Sequence, residues 1–265
     1  LNGFWIGLTM PLSGLVLISG SGILRRGVQS QRHQQDMRRL LGQTSSPAVA
    51  QKLWDQREEL IKDGRFTGRE QQVTVLFSDT CSFTSVSEQL TPSALMQWLN
   101  RGMSIGVDAV TSRGGIVNKF TGDGMLAVFG APVSKGPGVD AGQAVEAALA
   151  IQEQITRLNE ELTVEGQPPL RMRIGIHSGP VLTGSLGSSK RLEYAVIGDT
   201  VNCASRLEGL EKQRHDGMVR ILLSGETQCL LDTWPADVTS QSWGTIRIKG
   251  RLEPMEVVEL RSTAP

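Results

Sequence analysis

Two aspartates lie where strongly apolar segments of the sequence end. Asp79 follows a β-branched and aromatic run over residues 73–77. Asp123 lies in the Gly-Asp-Gly turn that separates two further apolar runs, 116–120 and 125–129. Runs of this kind predict β-strands, and the turn between the second and third predicts a hairpin. If the strands are neighbours in one sheet, both carboxylates emerge at one edge, where two hard oxygen ligands suit Mg²⁺ that carries a polyphosphate.

The residues around these aspartates favour a phosphate-binding site over isolated turn formers. A single aspartate at the end of a strand is more often a helix cap or a turn residue. After Asp79, however, Phe83 and Thr84 offer backbone N–H groups that lead into a helix and can cradle phosphate oxygens. Gly122 and Gly124 let the backbone beside Asp123 come close to a ligand.

Four further polar residues stand out by their position. Asn202 and Arg206 are one turn apart in a predicted helix, so an amide and a guanidinium project from one face as a possible phosphate clamp. Considered alone, such a pair is more commonly a solvated surface pair. Lys119 lies within an otherwise apolar predicted strand, where a cation needs a reason such as a ligand. Lys249 is predicted at the end of a late strand, where a lone lysine is ordinarily a solvated edge charge.

The pattern of apolar residues from position 71 onward predicts an α+β domain. Strands that alternate with helices, with hairpins between some of the strands, predict a sheet covered by helices on one face. Predicted strands cover 73–77, 116–120, 125–129, 171–177, 181–186, 219–223, 245–249 and 255–260, and predicted helices cover 92–112, 138–162 and 200–211.

Composition narrows the class of function. Lys and Arg total 27, as do Asp and Glu, so the formal net charge of zero argues against general nucleic-acid binding. Cys81, Cys203 and Cys229 are odd in number and widely spaced, which predicts neither a disulfide framework nor a metal-ligand set. A reducing compartment is therefore expected for this region.

The beginning of the chain predicts a membrane anchor. Residues 4–24 carry no charge and are long enough to cross a hydrocarbon core of ~30 Å as a helix. Arg25 and Arg26 follow at once, which places the rest of the chain on the cytoplasmic side. A buried core helix and a signal-peptide core are the alternatives. We therefore expect a transmembrane helix over 1–24, a cytoplasmic helical connector over 25–70 that is either a signalling helix or a solvated tether, and a catalytic domain over 71–262.

Six segments, in order, resemble the catalytic domain of class III nucleotidyl cyclases, the adenylate and guanylate cyclase family. They lie between residues 73 and 260 and read VTVLFSDT, FTSVSEQLTP, GGIVNKFTGDGMLAVFG, IGIHSGPV, YAVIGDTVNCASRLE and IKGRLEP. The resemblance implies a ferredoxin-like (palm-type) sheet. The order of membrane segment, connector and this domain also resembles that of bacterial membrane-anchored receptor-type adenylate cyclases. That resemblance implies a location at the inner (plasma) membrane.

The resemblance implies that each active site is shared by two copies of the chain. Asp79 and Asp123 match the aspartates that bind two Mg²⁺ (or Mn²⁺), with the backbone carbonyl of Thr80 as a further ligand. A head-to-tail homodimer then completes the site with residues of the other copy. Lys119 matches the lysine that reads the adenine edge, Asn202 and Arg206 the pair that orients the ribose and stabilises the transition state, and Lys249 the lysine that binds the terminal phosphates.

The implied reaction converts ATP to 3′,5′-cyclic AMP and pyrophosphate without a covalent enzyme intermediate. His177 is accordingly expected to be structural. Ala195 stands where adenylate cyclases usually carry an Asp or Thr that accepts from the adenine amino group, and losing that bond costs ~1 kcal/mol. Lys119 still favours ATP, because guanylate cyclases usually carry an acidic residue there. A guanylate or dual-specificity cyclase and a non-catalytic nucleotide-binding dimerisation module are the alternatives.

Overall fold

The protein is built around one large mixed sheet with helices on both faces. The computed structural model describes residues 57–62, 65–188, 191–215, 217–231, 233–234, 238–249, 251 and 253–262. Its elements are α1 (Arg57–Leu60), β1 (Ile61–Lys62), β2 (Arg65–Phe66), β3 (Arg69–Thr80), α2 (Phe83–Ser87), α3 (Pro92–Ser112), β4 (Ile116–Phe120), β5 (Met125–Phe129), α4 (Pro137–Val164), β6 (Met172–Ser188), β7 (Arg191–Ile197), α5 (Asp199–Glu208), β8 (Val219–Ser224), α6 (Gly225–Cys229), β9 (Val238–Ile246) and β10 (Met255–Ser262).

Strand β3 lies inside the eight-stranded sheet, whose order is β4-β5-β3-β6-β8-β10-β9, with β7 paired to β6. The β4–β5 hairpin forms one edge, as its Gly-Asp-Gly turn predicts. The register places Ser78 opposite Met125 on one side and Asp79 opposite Arg173 on the other. The end of β3 therefore lies between the hairpin turn and a charged residue of β6.

Two apolar clusters show that helices cover both faces of the sheet. Ile221 and Leu223 of β8 belong to the core that packs under α3 and α4. Leu222, which points the opposite way, belongs to a second cluster with Cys203 and Leu207 of α5. The α+β prediction is confirmed, but the expectation that helices cover only one face is wrong, because α5 packs on the other side.

Helix α5 reaches the sheet closely because β6 carries a glycine beneath it. A Cβ atom on Gly175 would lie 2.2 Å from the carbonyl oxygen of Ala204 and 2.4 Å from the backbone nitrogen of Glu208. Both are backbone atoms that cannot turn aside. The absence of a side chain at this position therefore fixes how near the helix lies to the strand.

Several predicted boundaries differ from the structure. Helix α3 spans the predicted residues and begins after Thr91, whose side chain accepts a hydrogen bond from the backbone N–H of Ala94. The two strands predicted over 171–177 and 181–186 are one strand, β6. Pairing continues through Pro180, whose carbonyl accepts a hydrogen bond from Thr200 Oγ1 at 2.7 Å. The strand predicted over 245–249 is present as the end of β9 and pairs with β10 as expected, but it ends at Ile246, so Lys249 lies in a following turn and not in a strand.

The predicted membrane segment lies outside the described residues. Within the part of the chain that the structure describes, no helix is long and apolar enough to cross a bilayer.

Replacing Gly175 with alanine is expected to destabilise the fold by about 2–3 kcal/mol, because α5 must move away from β6. Gly142→Ala is the matched control, since it lies within α4 with no atom within 4 Å of the added Cβ. That change is expected to stabilise the protein by about 0.5–1 kcal/mol. Urea unfolding of both variants measures the difference; equal effects would contradict the close approach of α5.

Candidate active site

The two aspartates predicted to bind metal meet at the end of β3. Thr80 Oγ1 donates a hydrogen bond of 2.7 Å to the backbone carbonyl of Asp123, which ties the hairpin turn to the strand. Gly124 makes this approach possible, because a Cβ there would lie 2.1 Å from the carbonyl oxygen of Ser78. The predicted trio of Asp79, Thr80 and Asp123 is therefore brought together.

The electrostatics of this pair fit a divalent cation. Burial raises the pKa of the Asp123 carboxyl, and the neighbouring Asp79 carboxylate raises it further. No group of three or more His, Cys, Asp or Glu side chains able to hold a metal occurs among the described residues. Mg²⁺ is commonly held by one or two carboxylates together with substrate phosphates. A pair of mutually repelling carboxylates without further side-chain ligands suits that manner of binding.

Arg173 is a central residue of this site that the sequence analysis missed. Its Nη2 donates to Asp79 Oδ2 and its Nε donates to Glu208 Oε1, both at 2.7 Å, and its side chain is 8% exposed. The signal was present in the sequence, because Arg173 lies in a strongly apolar strand. The argument applied to Lys119, that a charge in an apolar strand needs a partner, identifies Arg173 as well.

The predicted phosphate cradle is a short helical turn that begins three residues beyond Thr80. Helix α2 begins at Phe83 and no side chain caps its first turn. Ser82, the residue before it, has φ of 56°. Phe83 packs against the main core, and Thr84 is exposed. Uncapped N–H groups are thus placed near the aspartates, as predicted.

A hydrogen bond between neighbouring strands brings Lys119 and Ala195 into one region. Asn118 Nδ2 on β4 donates to the carbonyl of Tyr194 on β7 at 2.7 Å. Lys119 and Ala195 are the next residues along each strand. Lys119 is exposed on an edge strand, just after a register shift, so it does not need a buried partner. The two residues predicted to contact the base are near each other, although the burial argument for Lys119 fails.

Helix α5 carries Asn202 and Arg206, as the spacing predicts. It begins at Asp199, and Gly198 precedes it without a side-chain cap. Arg206 Nη1 lies 3.7 Å from Asp199 Oδ1, on the same helix. No hydrogen bond or ion pair joins Asn202 or Arg206 to Asp79 or Asp123 in the described parts of this chain.

Lys249 lies in a turn that is linked to the beginning of α5. It is exposed in the turn after β9, two residues before Arg251. Arg251 Nη1 lies 3.0 Å from Glu226 Oε1, and Nε lies 4.0 Å from Asp199 Oδ2. Arg251 therefore links the turn that carries Lys249 to the beginning of α5. Besides the region of Lys119 and Ala195, the predicted site residues thus include two linked groups, one around Asp79 and one around Asp199.

Neither His177 nor His215 forms an activated nucleophile. His177 Nδ1 and Ser224 Oγ are 2.8 Å apart, but both residues are buried, and burial lowers the pKa of His177 to about 4. Ser224 also caps α6 by accepting from the backbone N–H of Thr227. Cys81 Sγ lies 3.2 Å from His215 Nδ1, yet burial raises the pKa of the thiol, which disfavours the thiolate.

Comparison with known proteins identifies the family. Residues 67–261 match the family described as the "Adenylate and Guanylate cyclase catalytic domain". The chain belongs to the class III adenylate and guanylate cyclases. Its mixed sheet and helices match the palm-type α+β fold of that family, whose members generally use divalent metal ions.

Individual relatives include both kinds of cyclase. The chain is 35% identical over 205 residues to "Adenylate cyclase 1" of Rhizobium meliloti (strain 1021), which covers 76% of this chain and 29% of that relative, less than a third of its length. The adenylyl cyclase CyaB from P. aeruginosa has a TM-score of 0.67 at 30% identity, covering 75% of this chain and 98% of that structure. The guanylyl cyclase Cya2 has a TM-score of 0.65 at 32% identity, covering 74% and 95%.

Asp123→Asn is expected to stabilise the metal-free cyclase domain at neutral pH while removing a predicted metal ligand. Because the folded-state pKa of Asp123 is raised from the ordinary aspartate value of ~4, its protonated form favours folding, and that contribution is lost as the pH rises through the raised pKa. The neutral amide should therefore raise the melting temperature at pH 7. The difference should shrink as the pH falls below ~4, and an equal gain at both pH values would contradict an electrostatic cause.

Proposed function

We propose that this chain is an adenylate cyclase that converts ATP to 3′,5′-cyclic AMP and pyrophosphate at two composite sites of a homodimer. The observation that carries this proposal is the division of the site residues into two groups. One group holds Asp79, Asp123 and Arg173, and the other surrounds Asp199 with Arg206 and Lys249 in the same region. A head-to-tail pair of chains supplies the complementary group to each site.

The residues of the chain have separable tasks in this reaction. Divalent ions at Asp79 and Asp123, two Mg²⁺ or Mn²⁺ per site, would lower the pKa of the ribose 3′-hydroxyl and neutralise the leaving phosphates. The backbone N–H groups at Phe83 and Thr84 would donate hydrogen bonds to phosphate oxygens. From the other copy, Asn202 holds the ribose for in-line attack, Arg206 meets the charge that develops on the α-phosphate, and Lys249 binds the terminal phosphates.

The choice of ATP over GTP rests on Lys119 and is weakened by Ala195. Lys119 and Ala195 are neighbours through the bond between Asn118 and Tyr194. An alanine offers no acceptor to the adenine amino group, so we propose relaxed purine selection. The similarity to the guanylyl cyclase Cya2 at 32% identity keeps a guanylate or dual-specificity cyclase as the second candidate. A non-catalytic nucleotide-binding dimerisation module is disfavoured, because every predicted metal and transition-state position is filled.

We also propose that residues 4–24 anchor the enzyme in the inner (plasma) membrane, with residues 25–70 as the connector to a cytoplasmic catalytic domain over 71–262. The support is the uncharged segment followed by Arg25 and Arg26. No nucleic-acid partner is proposed, because positive and negative charges balance.

Mixing two inactive variants tests the shared site. Asp123→Ala removes a metal ligand and Arg206→Ala removes the transition-state cation, so each variant alone should lose nearly all formation of cyclic AMP from ATP. In an equal mixture about half of the dimers are mixed, each with one intact site of two, so activity should return to about a quarter of wild type. The control is each variant alone, assayed at the same total protein concentration as the mixture. No recovery in a mixture shown to exchange subunits would contradict the composite site.

Competition between ATP and GTP in one reaction tests the substrate. The proposal expects cyclic AMP to exceed cyclic GMP, by a modest factor. Ala195→Thr should increase that preference about fivefold, because the hydroxyl supplies an acceptor worth ~1 kcal/mol. Ala195→Val is the control, because valine has nearly the same shape as threonine but no acceptor. It should leave the preference for ATP over GTP unchanged. A large excess of cyclic GMP in the unmodified protein would overturn the assignment to ATP.

A further inference from the structure

We infer that Glu208 is a positioning residue for metal binding: its buried carboxylate offsets the charge of Arg173, so that Asp79 keeps its affinity for a divalent cation. This inference rests on the proposed function, because it assigns a role within the same metal site. It concerns a residue that touches neither the substrate nor the metal.

The geometry places one guanidinium between two carboxylates. Arg173 donates from Nη2 to Asp79 and from Nε to Glu208, each at 2.7 Å, while Nη1 lies 3.3 Å from the sulfur of Cys81. The side chains of Arg173 and Glu208 are 8% and 6% exposed, whereas that of Asp79 is 23% exposed. The water-accessible end of this triplet is therefore Asp79, and Glu208 is its buried end.

Charge balance gives Glu208 its role. Arg173 carries one positive charge beside an aspartate that must attract cations, and alone it would repel them. Glu208 supplies a compensating negative charge through the same guanidinium. With Glu208 ionised, the triplet of Asp79, Arg173 and Glu208 has a net charge of minus one; without that charge it would be neutral. Because screening is weak in a buried site, the loss of one negative charge should reduce cation affinity substantially.

The chain holds Glu208 in this place from behind. Glu208 is the last residue of α5, whose backbone packs on Gly175 of β6. The buried side chain of Arg220 binds the segment that follows: it donates at 2.7–2.9 Å to four backbone carbonyls, those of Glu208, Leu210, Glu211 and Arg214. These contacts fix the backbone at Glu208, so its carboxylate stays beside Arg173 and does not turn toward solvent.

Stability alone gives little reason for a carboxylate here. Burial raises the pKa of Glu208, and the hydrogen bond from Arg173 opposes that rise. Buried ion pairs are often replaced by apolar residues without loss of stability. A charge that the fold holds against desolvation, next to a predicted metal ligand, is explained by its effect on that ligand.

The test compares Glu208→Gln, Glu208→Asp and the unmodified protein in binding Mn²⁺. The intact chain is titrated with Mn²⁺ in the presence of saturating 3′-deoxy-ATP, which lacks the attacking hydroxyl. Free Mn²⁺ is followed by electron paramagnetic resonance, with the nucleotide's own share measured without protein. The glutamine retains an oxygen that can accept from Arg173 Nε, so it removes charge while keeping the hydrogen bond.

Glu208→Gln should bind Mn²⁺ about tenfold more weakly and require about tenfold more metal for half-maximal activity, with a maximal rate within about twofold of wild type. Glu208→Asp keeps the charge and should remain within about threefold in Mn²⁺ affinity. Glu160→Gln removes an equal charge from an exposed position on α4 and should change neither property.

Unchanged Mn²⁺ affinity in folded Glu208→Gln would overturn the inference. Equal weakening in the glutamine and aspartate variants would also overturn it, because shape and not charge would then matter. If the unmodified protein binds Mn²⁺ but forms no cyclic nucleotide, the proposed function fails, while the binding comparison among the variants still tests Glu208.

Discussion

The ion triplet formed by Asp79, Arg173 and Glu208 determines how the site is built. It joins the end of β3 to the neighbouring strand β6 and to the end of α5, with both contacts at 2.7 Å. Removing Arg173 would leave two carboxylates without their shared partner, and breaking a buried ion pair typically costs about 3–5 kcal/mol. The positions of Asp79, the predicted metal ligand, and of helix α5 are therefore not independent of each other.

This dependence has a consequence for a composite site. Glu208 lies at one end of α5, next to the metal group of its own chain. Asn202 and Arg206, on the same ten-residue helix, are proposed to serve the site completed by the other copy. In a dimer of the proposed kind, α5 would therefore connect the two sites directly, because one helix carries residues that belong to each of them. A connector that changes how two copies meet would act on both sites together.

The local features of the site could be read from the sequence, whereas its long-range pairings could not. The apolar strands around Asp123 and the periodicity of α3 are local patterns, and both occur where predicted. The pairing of Asp79 with Arg173 depends on the register between β3 and β6, which no local pattern records. Lys249 shows that a local pattern can also mislead. The residues around it alternate as in a strand, but β9 ends before it, at Ile246. Likewise, the exposure of Lys119 could not be predicted from its apolar neighbours. It is explained by the position of β4 at the edge of the sheet.

The candidate site is not arranged for stability. Burial raises the pKa of two carboxyl groups, those of Asp123 and Glu208. The fold therefore places both where the ionised form is disfavoured. Arg173 relieves part of this opposition, but its own charge would repel the metal if nothing balanced it. The remaining negative charge at Asp79 and Asp123 is relieved when a cation binds. Because a ligand that binds only the folded state stabilises it, a cation bound as proposed would also stabilise the fold at this point of the structure.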